Sequence, residues 1–453
     1  MQRQKQLAEW LHSLCPDERF TLAPASADAS FRRYFRVTFA DGGNCDTLLT
    51  KSADRGSNRQ AAPDETTDGT TRHLTRLSEN NNQVIGYSQS TRSPQTGDLV
   101  AGYPAPGGST APCRGCTLIV MDAPPQHENC RPFLHVARLF EDAGAHVPHV
   151  YAQDLEQGFL LLSDLGNTTY LQALQGRSSD TAKQLYGAAT DALLRIQLAS
   201  RESELPPYDQ ALLLREMRLF PEWYIGRHLD TKLSDAQTAK LETVFARIIA
   251  NNLAQPRVYV HRDYHSRNLM YIEAPLSNSD GTTSHSTMPA SGQVAGYLPQ
   301  AGRAQRGGRS RTNEKNNLLT SPGIIDFQDA VYGPITYDLA SLFKDAYIRW
   351  EEAEIIDWLV CYWEKARKAG LPVHEDFSLF YRDYEWMGVQ RHLKVLGIFA
   401  RLYHRDGKEG YLKDLPLVLS YLRAACARYI DLKPLLNLLD TLEPRISQQG
   451  YTF

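Results

Sequence analysis

The sequence lacks the features that mark several large classes of protein. Its seven cysteines are odd in number and scattered, at positions 15, 45, 113, 116, 130, 361 and 426, so reduced thiols rather than a disulfide framework are expected. The formal net charge is only −3, which argues against a general nucleic-acid binder. No apolar run approaches the roughly 20 residues that span a membrane. We therefore expect no nucleic-acid partner and no membrane attachment, and nothing in the sequence indicates an obligate protein partner.

The N-terminal segment lacks the continuous apolar core of a signal peptide. Residues 1–14 are polar and amphipathic, with Leu7, Trp10, Leu11 and Leu14 at helical spacing. The sequence therefore predicts a short helix here and a location in the cytoplasm.

Two long stretches contain few large apolar residues. The first covers about residues 52–114 and the second about residues 275–322, and both are rich in Ser, Thr, Asn, Gly, Pro and Gln. Neither can bury enough apolar surface to offset the entropy lost on ordering, so we predict mobile insertions within loops. The whole chain has 453 residues, of which 42% are hydrophobic, and this is enough for a two-lobed globular enzyme.

What the sequence does contain is a pair of segments suited to phosphoryl transfer from ATP. The first, HRDYHSRN at residues 261–268, places Asn268 five positions after Asp263, as in the kinase catalytic loop. In that loop the Asp orients and deprotonates the attacking hydroxyl, and the Asn holds magnesium. The second, GIIDFQD at residues 323–329, presents Asp326 at the tip of a short apolar run, where it would hold the main magnesium ion. ATP and Mg²⁺ are therefore the expected cofactors.

The joint occurrence of the two segments is what makes the kinase interpretation specific. Short motifs match by accident, so either segment alone would be equally consistent with a chance tripeptide or an ordinary strand-end turn. Both occur in order, however, and each contains or follows a β-like run, at residues 257–260 and 323–325.

The C-terminal part of the sequence is dominated by amphipathic segments. Their apolar residues recur at three- and four-residue spacing, which predicts helices that face a core. The segments are residues 182–199, 212–228, 235–251, 337–346, 353–369, 377–403 and 415–432.

These motifs give the chain a resemblance to the aminoglycoside phosphotransferase and choline kinase group of small-molecule kinases. The resemblance is carried by HRD with Asn268, by Asp326, and by the later GP and YDLA at residues 333–334 and 337–340. A closer resemblance, to a bacterial branch of anomeric sugar kinases in cell-wall recycling, rests on residues 29–36, 120–125, 326–334 and 390–397. It implies an ATP-dependent kinase that phosphorylates the C1 hydroxyl of N-acetylmuramate and N-acetylglucosamine in peptidoglycan recycling.

The resemblance also implies the fold. It predicts an α+β, bilobal protein-kinase-like fold with a small β-rich N-lobe over residues 1–163 and a mostly helical C-lobe over residues 164–453. The C-lobe would contain the catalytic loop, the metal site and the acceptor pocket.

Roles for single residues follow from the same resemblance. Asp263 would be the catalytic base, and Asn268 and Asp326 would be the magnesium ligands. Asp164 would lie at the connection between the lobes, beside the adenine, and Asp338 would support the catalytic loop.

One departure from kinase signatures concerns the loop that covers the ATP phosphates. The expected loop at residues 25–30 has no glycine, although kinases use glycine there so that backbone amides can approach the phosphates. Small residues would have to serve instead, and we assign Ser30 to the nucleotide site on that basis.

A second departure is that the strand expected to carry the ATP-binding lysine has none. Lys51 would supply it in an alternative alignment, although it leads straight into low-complexity sequence. Arg32 or Arg33 would also supply the positive charge, since a guanidinium pairs well with phosphate oxygens. The alternative is that both arginines are surface charges, and the same choice applies to Glu128 as a partner that positions the lobe.

The acceptor is indicated by charged residues on a predicted C-terminal helix. Arg391, His392 and Lys394 are candidates for binding the lactate carboxylate of N-acetylmuramate, unless they are solvated helix-surface charges. Two other functions stay open: a kinase of another small alcohol, such as an aminoglycoside, choline or homoserine, and a non-catalytic nucleotide-binding module. Arg or Lys at the pocket would favour an acidic sugar and acidic residues a cationic substrate, whereas a complete base and metal set argues against the module.

Overall fold

The computed structural model describes residues 2–16, 18–27, 31–40, 117–272 and 321–443. Ser30 and Lys51 lie outside the described residues, as do the whole first predicted insertion and residues 275–320 of the second. The chain divides into two compact units, Met1–Ala25 with Phe35–Leu118, and Ser26–Tyr34 with Ile119–Phe453. The predicted division into lobes after residue 163 stays a prediction. Within the described ranges, none of the helices combines the length and the apolar composition needed to cross a bilayer.

The first unit begins with the predicted amphipathic helix, α1 (Gln2–Leu14). The apolar side chains that it buries are Leu7, Trp10 and Leu11. The His12 ring lies 4.7 Å from the ring of Phe20, which in turn lies 6.3 Å from the ring of Phe39. The apolar face of α1 therefore packs as its spacing predicted.

Five strands near the N-terminus form one sheet in the order β1-β2-β3-β5-β4. Their bounds are β1 (Phe20–Ala27), β2 (Arg33–Phe39), β3 (Thr117–Asp122), β4 (Val150–Asp154) and β5 (Phe159–Ser163). Strands β2, β3 and β5 were predicted from their apolar pattern, but β1 and β4 were not, because FTLAPASA contains a proline and three alanines and VYAQD is short and ends in two polar residues. Residues 25–27, which we expected in the phosphate-covering loop, belong to β1.

Helices make up most of the second unit. They are α2 (Arg131–Asp142), α3 (Tyr170–Leu174), α4 (Ser179–Leu198), α5 (Gln210–Leu219), α6 (Asp235–Ala254), α7 (Tyr337–Phe343), α8 (Glu352–Lys368), α9 (Phe377–Asp406), α10 (Leu415–Arg428) and α11 (Lys433–Leu442). All seven predicted helical segments contain helix, although the last ends at Arg428 and continues after Tyr429 as a 3-10 turn, Ile430–Leu432. The predicted α+β fold class is confirmed.

One predicted helix changes type part-way along. The segment 212–228 is α-helical only to Leu219, and Phe220–His228 forms a π-helix. Pro221 has no N–H and so interrupts the α-helical hydrogen-bond ladder. At the end of the π-helix the Leu229 N–H donates to the carbonyl of Tyr224, five residues earlier, at 2.9 Å. Apolar spacing predicted this segment as helical but could not distinguish the α-helical from the π-helical hydrogen-bond pattern.

Four short strands hold the two catalytic segments. They are β6 (Arg257–Val260), β7 (Leu269–Met270), β8 (Gly323–Ile324) and β9 (Val331–Pro334). Strand β6 pairs antiparallel with β9, and β7 pairs antiparallel with β8, so that Leu269 lies opposite Ile324. The segments 261–268 and 325–330 are therefore anchored by paired strands at both of their ends.

Helix α9 is the longest helix among the described residues. It has 30 residues, which corresponds to about 45 Å, and it is buried on several sides along its middle third. The buried polar residues there include Gln390, Arg391, His392 and Lys394. The alternative that Arg391 and its neighbours are solvated surface charges is therefore wrong.

Gly397 allows α9 to approach α5 very closely. A Cβ atom at this position would lie 2.4 Å from the Leu219 carbonyl carbon and 2.5 Å from the Leu219 Cβ. Gly397→Ala must therefore separate the two helices or distort them, and we expect the free energy of unfolding to fall by about 2 kcal/mol. Urea denaturation, with the slope compared between variants, measures this loss.

Gly187 provides the matched control for this prediction. It lies inside α4, and a Cβ atom there would meet nothing within 4 Å. Gly187→Ala is expected to be neutral or to stabilise the protein by about 0.5 kcal/mol, because alanine is the better helix former. Equal stability of the two alanine variants would contradict the close approach at Gly397.

Candidate active site

The catalytic loop follows β6 and is held by a buried carboxylate. Asp338, in the first turn of α7, accepts hydrogen bonds from the backbone N–H groups of His261, at 2.7 Å, and Arg262, at 3.0 Å. Burial raises the pKa of Asp338 to about 6, against the opposing effect of His261 and of the two backbone donors. Asp338 therefore supports the loop, as the resemblance implied.

The His261 side chain links the two catalytic segments. The Asp263 N–H donates to His261 Nδ1 at 3.2 Å, so Nε2 carries the proton and donates to the Ile325 carbonyl at 3.0 Å. Burial lowers the pKa of His261, which favours this neutral form. The residue before Asp326 is thereby tied to the catalytic loop.

Asp263 presents an open carboxylate. Its backbone carbonyl accepts hydrogen bonds from the Asn268 side chain and the His265 N–H, both at 3.0 Å. Within the described ranges no residue donates a hydrogen bond to its carboxylate oxygens. Burial favours the neutral acid, but the charges of Lys394 and Arg391 outweigh it and hold the pKa of Asp263 below its usual range. The carboxylate is therefore ionised and available to an acceptor hydroxyl.

The two predicted metal ligands lie together. The Asn268 Nδ2 is 3.2 Å from the Asp326 Oδ2, and the Ile325 N–H donates to the Asn268 carbonyl at 3.1 Å. Gln328 donates from Nε2 to the other carboxylate oxygen of Asp326 at 2.8 Å. An amide and a carboxylate suit Mg²⁺, which binds few protein oxygens and takes its other ligands from water and phosphates.

Two residues at the site have left-handed backbone conformations that side chains disfavour. Arg262 has φ +77° and Asp326 has φ +65°. For a residue other than glycine this conformation costs about 1–2 kcal/mol. Arg262 is held in it by an ion pair with Glu216 and by a hydrogen bond from Nη1 to the Asp329 carbonyl at 3.3 Å. Contacts with Glu216 and Asp329 therefore hold Arg262 in its disfavoured backbone conformation.

A second buried carboxylate, which the sequence analysis did not single out, supports the middle of the loop. Asp345 accepts hydrogen bonds from the N–H and the hydroxyl of Ser266, and its other oxygen accepts the Tyr347 N–H at 3.1 Å. The Arg267 guanidinium lies 3.5 Å from the centroid of the Tyr347 ring. The loop is thus fixed at Ser266 and Arg267 as well as at its start.

The residues assigned to the nucleotide form ion pairs and a turn. The Arg32 Nε lies 3.3 Å from Glu128 Oε2, with the Arg32 side chain only 12% exposed, and Arg33 pairs with the buried Asp122. Arg32 is therefore not a surface charge. Asp164 follows β5 directly and accepts the Gly166 N–H at 2.9 Å.

The two acceptor candidates on α9 have different surroundings. Arg391 is 4% exposed, and in the described ranges its guanidinium forms no ion pair or hydrogen bond, although its charge acts on Asp263. The His392 ring stacks on Tyr421 at 5.4 Å, and its Nε2 lies 3.4 Å from the Lys344 carbonyl. Burial holds the pKa of His392 well below its usual value. The charge of Arg391 therefore acts on the Asp263 carboxylate, whereas the contacts of His392 are with Lys344 and Tyr421.

Glu216 is the main residue of the site that the sequence analysis missed. It lies on α5 and is 5% exposed. The signal was present in the sequence, because Glu216 follows Leu213 by three positions and so interrupts the apolar face of that helix.

Known proteins provide an independent comparison. A family model described as the phosphotransferase enzyme family matches residues 109–276 and 315–372. An N-acetylmuramate/N-acetylglucosamine kinase of Pseudomonas putida is 44% identical over 329 residues, which are 73% of this chain and 83% of that protein. One of Neisseria meningitidis is 37% identical over 455 aligned positions, the full length of both chains.

The chain belongs to this phosphotransferase family. Membership confirms the predicted protein-kinase-like fold. Among solved structures, the chain is similar to a choline kinase of Cryptosporidium parvum, with a TM-score of 0.47, 8% identity, and coverage of 95% of this chain and 99% of that one.

Proposed function

We propose that this phosphotransferase is an ATP-dependent sugar kinase that phosphorylates the C1 hydroxyl of N-acetylmuramate and N-acetylglucosamine in peptidoglycan recycling. The observation that carries the proposal is the open, ionised carboxylate of Asp263 between the Asn268–Asp326 pair and the buried guanidinium of Arg391. The names of the relatives with 37–44% identity support the substrate class. Because ATP is the donor, we place the reaction in the cytoplasm.

Asp263 acts on the acceptor hydroxyl in this mechanism. A carboxylate with a lowered pKa is a weak base, so its main task is to orient the hydroxyl towards the γ-phosphoryl group. It accepts the proton late, once the O–P bond is forming, as expected for a loose transition state. The ionised form ensures that it never competes as a hydrogen-bond donor.

Asn268 and Asp326 would hold Mg²⁺, and Arg32 would contact the phosphates of ATP. When bound, Mg²⁺ supplies positive charge to the phosphate oxygens. The Arg32–Glu128 pair supports a kinase role, since protein kinases use a lysine–glutamate pair to place the phosphates. An arginine in the lysine's place keeps the charge and adds bidentate hydrogen bonding. Asp164 and Ser30 stay assigned to the nucleotide site.

Arg391 supports an acidic acceptor. A buried guanidinium without a carboxylate partner among the described residues is suited to the lactate carboxylate of N-acetylmuramate. Lys394 adds a second buried positive charge near Asp263. Two cations beside the acceptor disfavour aminoglycosides and choline, which are positively charged. His392, the next residue on the helix, stays a candidate for substrate binding.

The direct test is ATP consumption by the purified protein with magnesium and a panel of acceptors. The panel contains N-acetylmuramate, N-acetylglucosamine, kanamycin, choline and homoserine, and phosphorus NMR identifies the product. A sugar-dependent signal from an anomeric 1-phosphate is the expected result. Turnover only on another acceptor would reject the sugar, and no turnover despite ATP binding would favour a non-catalytic nucleotide-binding protein.

Arg391→Met is expected to separate the two sugars. Loss of one charged hydrogen-bonding contact should lower kcat/KM for N-acetylmuramate by about 10- to 100-fold, because such contacts contribute about 1.5–3 kcal/mol. N-acetylglucosamine has no lactate carboxylate, and Lys394 still holds the pKa of Asp263 down, so its kcat/KM should change by no more than about threefold. Steady-state kinetics with both sugars measures the ratio.

Arg382→Met is the matched control for this variant. Arg382 lies on the same helix, about 13 Å away along its axis, and its side chain is 44% exposed beside Asp383. It should leave both sugars unaffected. If Arg391→Met lowered kcat/KM equally for the two sugars, the guanidinium would not bind the lactate carboxylate.

A further inference from the structure

Glu216 is a buried carboxylate saturated by four donors. One oxygen, Oε1, lies 3.0 Å from Lys394 Nζ and also pairs with the guanidinium of Arg262. The other oxygen accepts the Tyr208 hydroxyl and the Gln390 side-chain amide, the latter at 3.1 Å. These contacts join α5, α9 and the catalytic loop at one point.

The charges of two carboxylates, Glu216 and Asp263, act on Lys394, but among the described residues only Glu216 forms an ion pair with it. Its Nζ contacts Glu216 and donates to the Tyr337 hydroxyl at 3.1 Å. Within the described ranges it forms no ion pair with Asp263, although the two side chains interact electrostatically. A lysine on four flexible methylenes in a poorly solvated pocket pairs with whichever carboxylate is placed to receive it.

Helix packing fixes the pair that does form. Leu219 and Gly397 each lie three residues after Glu216 and Lys394 respectively, so they are on the same helix faces one turn further on. At that turn a Cβ atom on residue 397 would lie 2.4 Å from the Leu219 carbonyl carbon, so the observed approach of the two helices requires glycine there. The separation of Glu216 from Lys394 is therefore set by backbone contact rather than by side-chain flexibility alone.

The cluster contains charges of both signs. Glu216 pairs with Arg262 and Lys394, and the charges of Lys394, Arg391 and Arg262 all act on Asp263. If Glu216 were neutral, Asp263 would be the remaining carboxylate whose charge acts on Lys394. A buried cation left without its partner is strongly destabilised, which favours movement of the flexible lysine to a new carboxylate.

We propose that Glu216 is a positioning residue that holds the Lys394 ammonium away from the Asp263 carboxylate, so that this carboxylate stays open to the acceptor hydroxyl. The inference rests on the proposed function, because it takes Asp263 as the base. In the intact protein Lys394 contributes charge beside Asp263 without occupying its oxygens.

The first test is a crystal structure of Glu216→Gln. The substitution keeps the shape of the side chain and removes its charge. We expect Lys394 Nζ to move to about 3 Å from an Asp263 carboxylate oxygen, a normal ion-pair distance. An ammonium that stays beside residue 216 would overturn the proposal, and this readout needs no substrate. If the Gln variant does not fold, the position of Lys394 Nζ is measured instead in a crystal structure of Glu216→Asp, which keeps the charge but is one methylene shorter.

The second test is a kinetic cycle with Lys394→Met. Glu216→Gln should lower kcat by about 100-fold with the KM for ATP unchanged, because the base is occupied. Removing Lys394 in that background should restore most of the loss, since nothing then occupies Asp263. A double variant as slow as Glu216→Gln, or slower, would reject the positioning role and leave a structural one.

Tyr208→Phe is the matched control. It removes one hydrogen bond from an uncharged donor to Glu216, so it should lower the melting temperature and change kcat by no more than about threefold. Failure of the proposed function is distinguishable from failure of this inference. It would appear as wild-type protein that does not phosphorylate either sugar, whereas the position of Lys394 in the Glu216→Gln structure decides the inference by itself.

Discussion

Asp263→Asn is expected to reduce kcat by about 10³-fold while ATP still binds. The amide has the shape of the carboxylate, so the fold of the loop should be unchanged. It cannot accept the acceptor proton, and its NH₂ group would present a donor where the hydroxyl needs an acceptor. The effect should be large because the Asp263 carboxylate is open: among the described residues no donor forms a hydrogen bond with its oxygens.

The measurement is a coupled assay for ADP release together with calorimetric titration of ATP. The loss should be in kcat rather than in the affinity for ATP, because the base contacts the acceptor and not the nucleotide. Asp357→Asn, an exposed substitution on α8, is the matched control and should be silent. Turnover within tenfold of the wild type would reject Asp263 as the base.

Asp326→Ala is expected to lower kcat/KM by about 10³-fold through loss of the metal. Mg²⁺ contributes several kcal/mol to the transition state by offsetting charge on the transferred group, and about 4 kcal/mol corresponds to this factor. Asn268 alone cannot replace the lost charge, because its amide is neutral. Titration of Mn²⁺ in the presence of ATP, followed by electron paramagnetic resonance, should show weakened binding independently of activity.

Asp326→Asn separates this effect from backbone strain. Residue 326 has φ +65°, a conformation that asparagine tolerates better than alanine does. The Asn variant should therefore lose less thermal stability than the Ala variant and still lose Mn²⁺ affinity. If the Asn variant binds Mn²⁺ normally, the carboxylate charge is not what holds the metal.

The parts of the site that the sequence predicted are those set by short-range spacing. Asp263 and Asn268 lie five residues apart in one loop, so their contact needs no knowledge of the fold. Their proximity to Asp326 is longer in range and was expected from the kinase-like fold that the resemblance implied, and β7 pairs with β8. Helices of the C-terminal part were predicted because each presents a regular apolar face.

The parts that it could not predict depend on contacts between distant segments. Glu216 and Lys394 meet only because Gly397 lets two helices approach, and a glycine in a helical segment does not reveal its neighbour. The charged run around Arg391 looked solvated because its partners, such as Glu216, lie far away in sequence. Strands β1 and β4 are too weakly patterned to be recognised alone, and they form by pairing with neighbours in the sheet.

The pairing of β7 with β8 has a consequence for how this enzyme can be engineered. Met270 lies opposite Gly323, and the Ile325 N–H bonds to the Asn268 carbonyl, so the two proposed magnesium ligands, Asn268 and Asp326, are held in place by these contacts. Their spacing is thereby independent of what joins residues 272 and 321, and closure of a longer connection adds little entropy cost. A reporter domain whose termini lie close together can be spliced in at this point, coupling a fluorescent readout to an otherwise intact catalyst.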